Sequence, residues 1–422
     1  MHILLLIAYS FLLSLAVVRI PFIKKSNIRP VYLLVFFWLR CIAAWVHNAI
    51  AWRYYPNHGD IWDFFETGKW MKTQLLQGQL WQQFYQGSRH LQLNDAIRGE
   101  ISFRTLSALN MVLDFLSFDN FYINTLLFSF LVFMGSIALY RVFKQAFANH
   151  HLCALAALLL PGTLFFTACI HKEGLIYLLL GFFLLCWQRQ LKKGFTITGS
   201  ITCLVVFVAM VVLRSNLLLG LVPGVFMWTM TEKTTLGNKL NLLITLGLVA
   251  AAIMAAASIS QHYNLFTIII NRQHEFDDLQ GKSRLFLPLL QPGFRSFLST
   301  LPYAIVNGFF EPLPGNAGQP VYIIFSIEVL LIWIMVLIAI YHILRRNPNL
   351  SPPAPGFGWF CTLLAISQLL LIGYVIPFAG AIVRYRSLYL PFLLAPAIYC
   401  LRSTAVYMNI ENRLRGLLDL SN

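Results

Sequence analysis

Four short polar clusters interrupt a chain that is otherwise apolar over most of its 422 residues. The first is His58-Gly59-Asp60-Ile61-Trp62-Asp63. A carboxylate held there at a membrane face, beside a loop glycine, can act as general base or metal ligand; this singles out Asp60, with His58 as a neighbouring substrate contact. Helix capping is the plainer role, since Asp60 as N-cap and Asp63 near N3 would satisfy free amides and suit the helix dipole. The second cluster, His171-Lys172-Glu173-Gly174, places three consecutive ionisable residues in a short turn between strongly apolar segments. Charges this close to lipid are costly, so His171, Lys172 and Glu173 are candidate substrate contacts, set against an interfacial ion pair with a snorkelling lysine.

Arg214 and the pair in Arg384-Tyr385-Arg386 add cations whose planar forks suit phosphate oxygens, although a single interfacial arginine also snorkels. Two arginines one residue apart point the same way in an extended turn and diverge by about 200° on a helix. A clamp made of Arg384 and Arg386 therefore requires a non-helical segment. In the last cluster, Asn271 to Asp278 followed by Arg284, the oxygen ligands Glu275, Asp277 and Asp278 would suit magnesium or manganese, the divalent cation this chemistry would use. A solvated loop of mixed charge is the alternative.

The elements that must position these clusters follow from composition. With 58% hydrophobic and 11% charged residues, a soluble domain of this length lacks the charge its surface needs. The 35 Phe, 17 Tyr and 10 Trp fit aromatic belts at membrane interfaces. A net charge of +15 could signal a nucleic-acid binder, but Lys and Arg are scattered between apolar runs, which excludes a basic stripe. The seven cysteines sit in or beside apolar segments without metal-ligand spacing and read as small core residues. No Walker loop, nucleophile elbow, H-E-x-x-H or dinucleotide fingerprint occurs.

An apolar run of about 20 residues crosses the hydrocarbon layer as a helix, because its backbone groups must be satisfied internally. This rule predicts an all-α polytopic membrane protein with about eleven transmembrane helices, near 2–20, 31–51, 121–140, 152–169, 174–188, 196–213, 217–230, 240–259, 320–344, 357–377 and 387–402. Basic residues fall in every second connection, which makes those connections cytoplasmic and puts the 52–120 and 260–319 loops outside. Residues 1–402 then form a single transmembrane domain, and 403–422 a short cytoplasmic C-terminal tail. The first outer loop carries an amphipathic stretch from Ile61 to Leu75, and the segment near 297–314 is expected to be re-entrant or interfacial. Arg40 and Glu328 fall mid-span, where they are expected to meet one another or a water-filled cavity.

The order of features resembles bacterial multi-span membrane proteins similar to the GT-C-fold glycosyltransferases. The resemblance rests on His58-Gly59-Asp60 after two spans, Pro161-Gly162-Thr163-Leu164-Phe165-Phe166 leading into His171-Lys172-Glu173-Gly174, and the late Arg384-Tyr385-Arg386. It implies transfer of a sugar from a polyprenyl-phosphate carrier to a glycan, lipid or protein acceptor on the outer face of a bacterial inner membrane, with Asp60 as base. The acid here follows the second span rather than the first and belongs to no Asp-Glu pair. Rival readings are a polymerase or ligase of undecaprenyl-diphosphate-linked polysaccharide, which needs no acid in the first loop, and a noncatalytic subunit of an envelope complex. The expected partners are the polyprenyl-linked donor and the bilayer, with no nucleic acid.

Overall fold

The computed structural model describes residues 2–54, 60–79, 95–259, 264–279, 283–315, 320–345 and 355–419; His58 lies outside them. Among the described residues the chain is all helical, with two isolated bridges and no strand. Its longer helices are α1 (His2–Arg19), α2 (Pro30–Tyr54), α3 (Asp60–Leu76), α4 (Asp95–Ser117), α5 (Phe121–Ala146), α6 (His151–Leu159), α7 (Pro161–Ala168), α8 (Lys172–Lys193) and α9 (Ile197–Leu213). These are followed by α10 (Leu218–Lys233), α11 (Asn238–Ile259), α12 (Leu265–Asp277), α13 (Phe294–Ile305), α14 (Pro320–Leu344), α15 (Pro355–Val375), α16 (Ala379–Arg386), α17 (Leu390–Cys400) and α18 (Ala405–Leu418).

Among the described residues, six helices are long and apolar enough to cross a membrane, or up to eight if each bent pair counts as one span. The protein is a multi-pass helical membrane protein. Large apolar side chains stay exposed along α14, including Ile324, Leu331 and Leu337, as a lipid-facing surface requires. Eleven full crossings do not follow directly, because α9 and α10 have 17 and 16 residues. At 1.5 Å per residue these reach about 24–26 Å, short of a hydrocarbon layer of about 30 Å. The span expected over 152–169 is two helices broken at Leu160, which is extended at φ −62°, ψ 122° ahead of Pro161. Proline disfavours the helical conformation in the residue before it, so the break is local in origin.

The chain forms two compact units. The first comprises Met1–Phe143, Ala157–Asn216 and Asn412–Asn422. At its centre, Phe128, Val132, Phe133, Ile137 and Leu139 of α5 are fully enclosed. Against this core sit α2 and the broken pair of α7 and α8. The stretch from Ile61 to Leu75 lies in helix α3, which buries Ile61, Phe64, Phe65, Gly68 and Met71.

The second unit comprises Lys144–Ala156 and Leu217–Glu411. Here the segment expected to be re-entrant or interfacial is α13 followed by a π-helical turn, Val306–Phe310. Gly308 and Gly373 let it approach α15 at backbone distance: a Cβ on Gly308 would lie 2.0 Å from Leu369 O, and one on Gly373 1.8 Å from Ala304 O. The C-terminal segment is more than a tail, since α18 carries buried Glu411, whose carboxylate accepts from His151 N at 2.8 Å and Leu152 N at 2.9 Å. A carboxylate at the start of α6 satisfies two of its free amides and complements its dipole.

Candidate functional site

The break between α7 and α8 gathers several buried polar residues of the first unit. Between them the chain bends at Cys169-Ile170-His171, where His171 N donates to Cys169 O at 2.7 Å. His47, near the C-terminal end of α2, faces His171 edge-on with ring centroids 5.2 Å apart. His47 also contacts the rings of Phe165 and Phe166, at 4.5 and 5.6 Å. The turn is tight because Gly174 sits against α7: a Cβ there would meet Thr167 O at 2.6 Å and Phe128 Cε1 at 2.7 Å.

The three ionisable residues of the turn go to three places. His171 joins His47 and Cys169; one donor atom from each of the three lies within 4.8 Å of the others, and all three residues are buried. Lys172 Nζ donates to Ser102 Oγ of α4 at 2.7 Å. Glu173 Oε1 accepts from Arg214 Nη2 at 2.6 Å. Arg214 is therefore neither a snorkelling anchor nor an uncompensated cation: its charge is offset inside the protein.

Beneath the break, Arg40 is buried within α2 and donates to Ser136 Oγ at 2.8 Å and Thr167 Oγ1 at 3.1 Å. Arg40 finds these partners within its own unit, and Glu328 has one within the other. Glu328 acts on Arg386, favouring its charged form.

Asp60 opens α3 and is exposed, with Asp63 in the same first turn. Trp62 fixes this end of the helix, stacking on Phe121 at 3.7 Å with Trp52 at 5.0 Å. Partial burial, and secondarily the nearby Asp60 charge, raise the Asp63 carboxyl above its ordinary value.

In the second unit the two-arginine clamp is overturned. Both residues lie in the last turn of helix α16, where neighbours at this spacing diverge. Arg386 is buried and Nη1 donates to Glu311 O at 2.7 Å and Gly308 O at 3.5 Å, while Trp333 Nε1 donates to Phe309 O at 2.7 Å. These donors satisfy carbonyls released at the end of the π turn, a structural duty that a phosphate would compete with. Arg384 lies over the Tyr385 ring at 5.0 Å and donates to its hydroxyl at 3.1 Å.

The acids of the last cluster also find cations. Glu275 pairs with Arg272 at 2.5 Å, and Asp277 pairs with Arg284. Among the described residues, the one group of three or more His, Cys, Asp or Glu with convergent donors is His47, Cys169 and His171. Its nitrogen and sulfur donors differ from the hard oxygens that magnesium and manganese take.

His47 and Cys169 escape a reading by sequence spacing because one partner lies 122 positions before the other. The available signal was Cys169-Ile170-His171, a C-x-H step just before the charged residues Lys172 and Glu173 that open α8. The chain matches no family model, no curated protein and no solved structure.

Proposed function

We propose that the protein transfers a sugar from a polyprenyl-phosphate carrier to a glycan, lipid or protein acceptor on the outer face of a bacterial inner membrane. The observation that carries this reading is the placement of Asp60. It stands in the first turn of a helix anchored by buried Ile61, Phe64, Phe65, Gly68 and Met71, so a carboxylate is presented on a fixed element while remaining exposed. In the reaction, an acceptor hydroxyl oxygen bonds to the anomeric carbon as the bond from that carbon to the phosphate oxygen breaks. The hydroxyl proton passes to Asp60, and the lipid phosphate leaves with the electron pair.

Lys172 is the residue best suited to meet that phosphate. It is only half-buried and stands in the first turn of α8, where the helix dipole adds to its charge. Glu173 and Arg214, tied to one another, hold this turn in place. Keeping the carrier in the bilayer avoids a transfer cost of about 0.8 kcal/mol per buried CH₂.

The topology that accompanies this reading has eleven crossings, counting the short helices α9 and α10, with the 52–120 and 260–319 loops outside. Cysteine substitutions at Gln79 and Lys192 in intact cells distinguish the two sides. Equal labelling of both by a membrane-impermeant reagent would sink the topology.

The chemistry is tested by Asp60→Asn in purified, reconstituted protein. Loss of a base removes about 10²–10⁴-fold of rate. Turnover should fall at least 100-fold in Asp60→Asn and less in Asp63→Asn. Wild-type turnover in Asp60→Asn eliminates Asp60 as base and favours the polymerase or ligase reading.

A further inference from the structure

We propose that His47, Cys169 and His171 form a three-coordinate binding site for the soft monovalent ion Cu(I). The first argument is the donor set. Two imidazole nitrogens and one thiolate are the ligands of copper, zinc and similar ions, not of hard cations. All three residues are buried, and their donor atoms already lie within 4.8 Å of one another. Metal bonds of about 2.0 Å to nitrogen and 2.3 Å to sulfur would place the donors of a trigonal site about 3.5–3.7 Å apart. Closure by about 1 Å is needed, within reach of side-chain rotation in His47 and His171.

The second argument is that the backbone prepares this face. The bend at Ile170, closed by the 2.7 Å bond from His171 N to Cys169 O, holds Cys169 and His171 close together, and α2 supplies His47 beside them. Phe165 and Phe166 wall the His47 ring and keep the surroundings apolar. As a thiol, Cys169 contacts Phe165 O at 3.7 Å and Phe166 O at 3.8 Å. Binding replaces these contacts with the metal bond and releases the thiol proton to solvent.

Charge decides between the two common ions of this class. Arg40 lies near enough to Cys169 for the two to interact electrostatically. Cu(I) with one thiolate and two neutral imidazoles is uncharged, whereas Zn(II) in the same ligands leaves a net positive charge beside a buried guanidinium. Like charges in a low-dielectric interior repel strongly. Zinc also prefers a fourth ligand, and among the described residues no further His, Cys, Asp or Glu converges on this group.

The test uses the full chain in detergent, kept anaerobic and reduced, with Cu(I) supplied from a coloured Cu(I) chelator. One equivalent should bind per chain, with an ultraviolet thiolate-to-copper charge-transfer band. Affinity should fall at least tenfold in Cys169→Ser and in His47→Gln, and remain unchanged in Cys153→Ser, whose cysteine is buried elsewhere. Protection of Cys169 from a thiol reagent by Cu(I), read by peptide mass in the wild-type chain, gives a measure that requires no variant to fold. The proposal is overturned if the wild type takes no Cu(I) from the chelator. Wild-type affinity in both Cys169→Ser and His47→Gln, absence of Cys169 protection, or one equivalent of Zn(II) that Cu(I) does not displace would each overturn it too.

Discussion

Glu173 and Arg214 form a 2.6 Å ion pair whose side chains are only 3% and 13% exposed, joining the first turn of α8 to the residue that ends α9. Removing one partner strands the other charge in a poorly solvated place, at a cost of about 3–5 kcal/mol. Glu173→Gln and Arg214→Gln should each lower the thermal midpoint in detergent markedly. The double variant Glu173→Gln/Arg214→Gln should recover part of that loss. If the effects of the two single changes simply add in the double variant, the pair is not a coupled unit.

Arg386 and Arg384 should separate cleanly by phenotype. Arg386 holds the carbonyls of Glu311 and Gly308, so Arg386→Ala leaves buried acceptors unsatisfied and removes a charge that Glu328 and Glu311 favour. A loss of about 3 kcal/mol or more is expected, with little folded protein recovered. Arg384 is half-buried and bonds its neighbour Tyr385, so Arg384→Ala should cost about 1 kcal/mol or less. Size-exclusion profiles and thermal midpoints of the two variants decide it, and equal destabilisation would refute the division of roles.

Long apolar runs made the helices legible: the expected spans near 121–140, 320–344 and 357–377 correspond to Phe121–Ala146, Pro320–Leu344 and Pro355–Val375. Hydropathy could not foresee the break at Leu160, because a window average treats Pro161 as one more apolar position, although its ring disfavours the helical conformation before it. The polar turn at His171 was legible as an anomaly, since nothing in lipid rewards three adjacent ionisable groups. Its partners were not. Arg214, Ser102 and His47 come from three other helices, and pairing at such separations is decided by packing rather than by local spacing. The fate of Arg386 was hidden for a similar reason: its acceptors exist only because the chain forms a π turn some 75 residues earlier.

Gly308 and Gly373 should tolerate no side chain. The atoms that an added Cβ would strike, at 2.0 and 1.8 Å, are carbonyl oxygens of packed helices, which cannot swing aside as a flexible side chain would. Gly308→Ala or Gly373→Ala must push α15 away from the segment running from α13 into the π turn, with an expected loss of several kcal/mol, at the high end of about 1–3 kcal/mol for overpacking. Gly358 is the control, because a Cβ there meets nothing within 4 Å. Gly358→Ala should be neutral or slightly stabilising. Fluorescence-detected size exclusion on the three variants reads the difference, and wild-type behaviour of Gly308→Ala would contradict the close approach.

Asp114 should make the first unit less stable as pH rises. It lies on α4, outside the candidate spans, and is fully buried. Its Oδ1 accepts from Asn124 Nδ2 at 2.6 Å, whereas Oδ2 has no hydrogen-bond partner among the described residues. Burial, with the Asp119 charge adding to it, raises this carboxyl to about 7 against the opposing pull of Lys72, Asn124 and Lys69. An acid raised in the folded state binds its proton more tightly there than in the unfolded chain. The stabilising contribution is thus fully present below the ordinary carboxylate range near 4, declines as pH climbs, and is gone above about 7. One proton can give a slope of at most about 1.4 kcal/mol per pH unit. Asp114→Asn cannot ionise, so it should be flatter than wild type from pH 4 to 8 and gain on it most at pH 8. Lys72→Met removes an opposing charge and should carry the decline to higher pH. The measurement is the thermal midpoint of the detergent-solubilised chains at pH 4, 6 and 8. Parallel curves for wild type and Asp114→Asn would show that this carboxyl titrates alike in the folded and unfolded chain, and the assignment would fail.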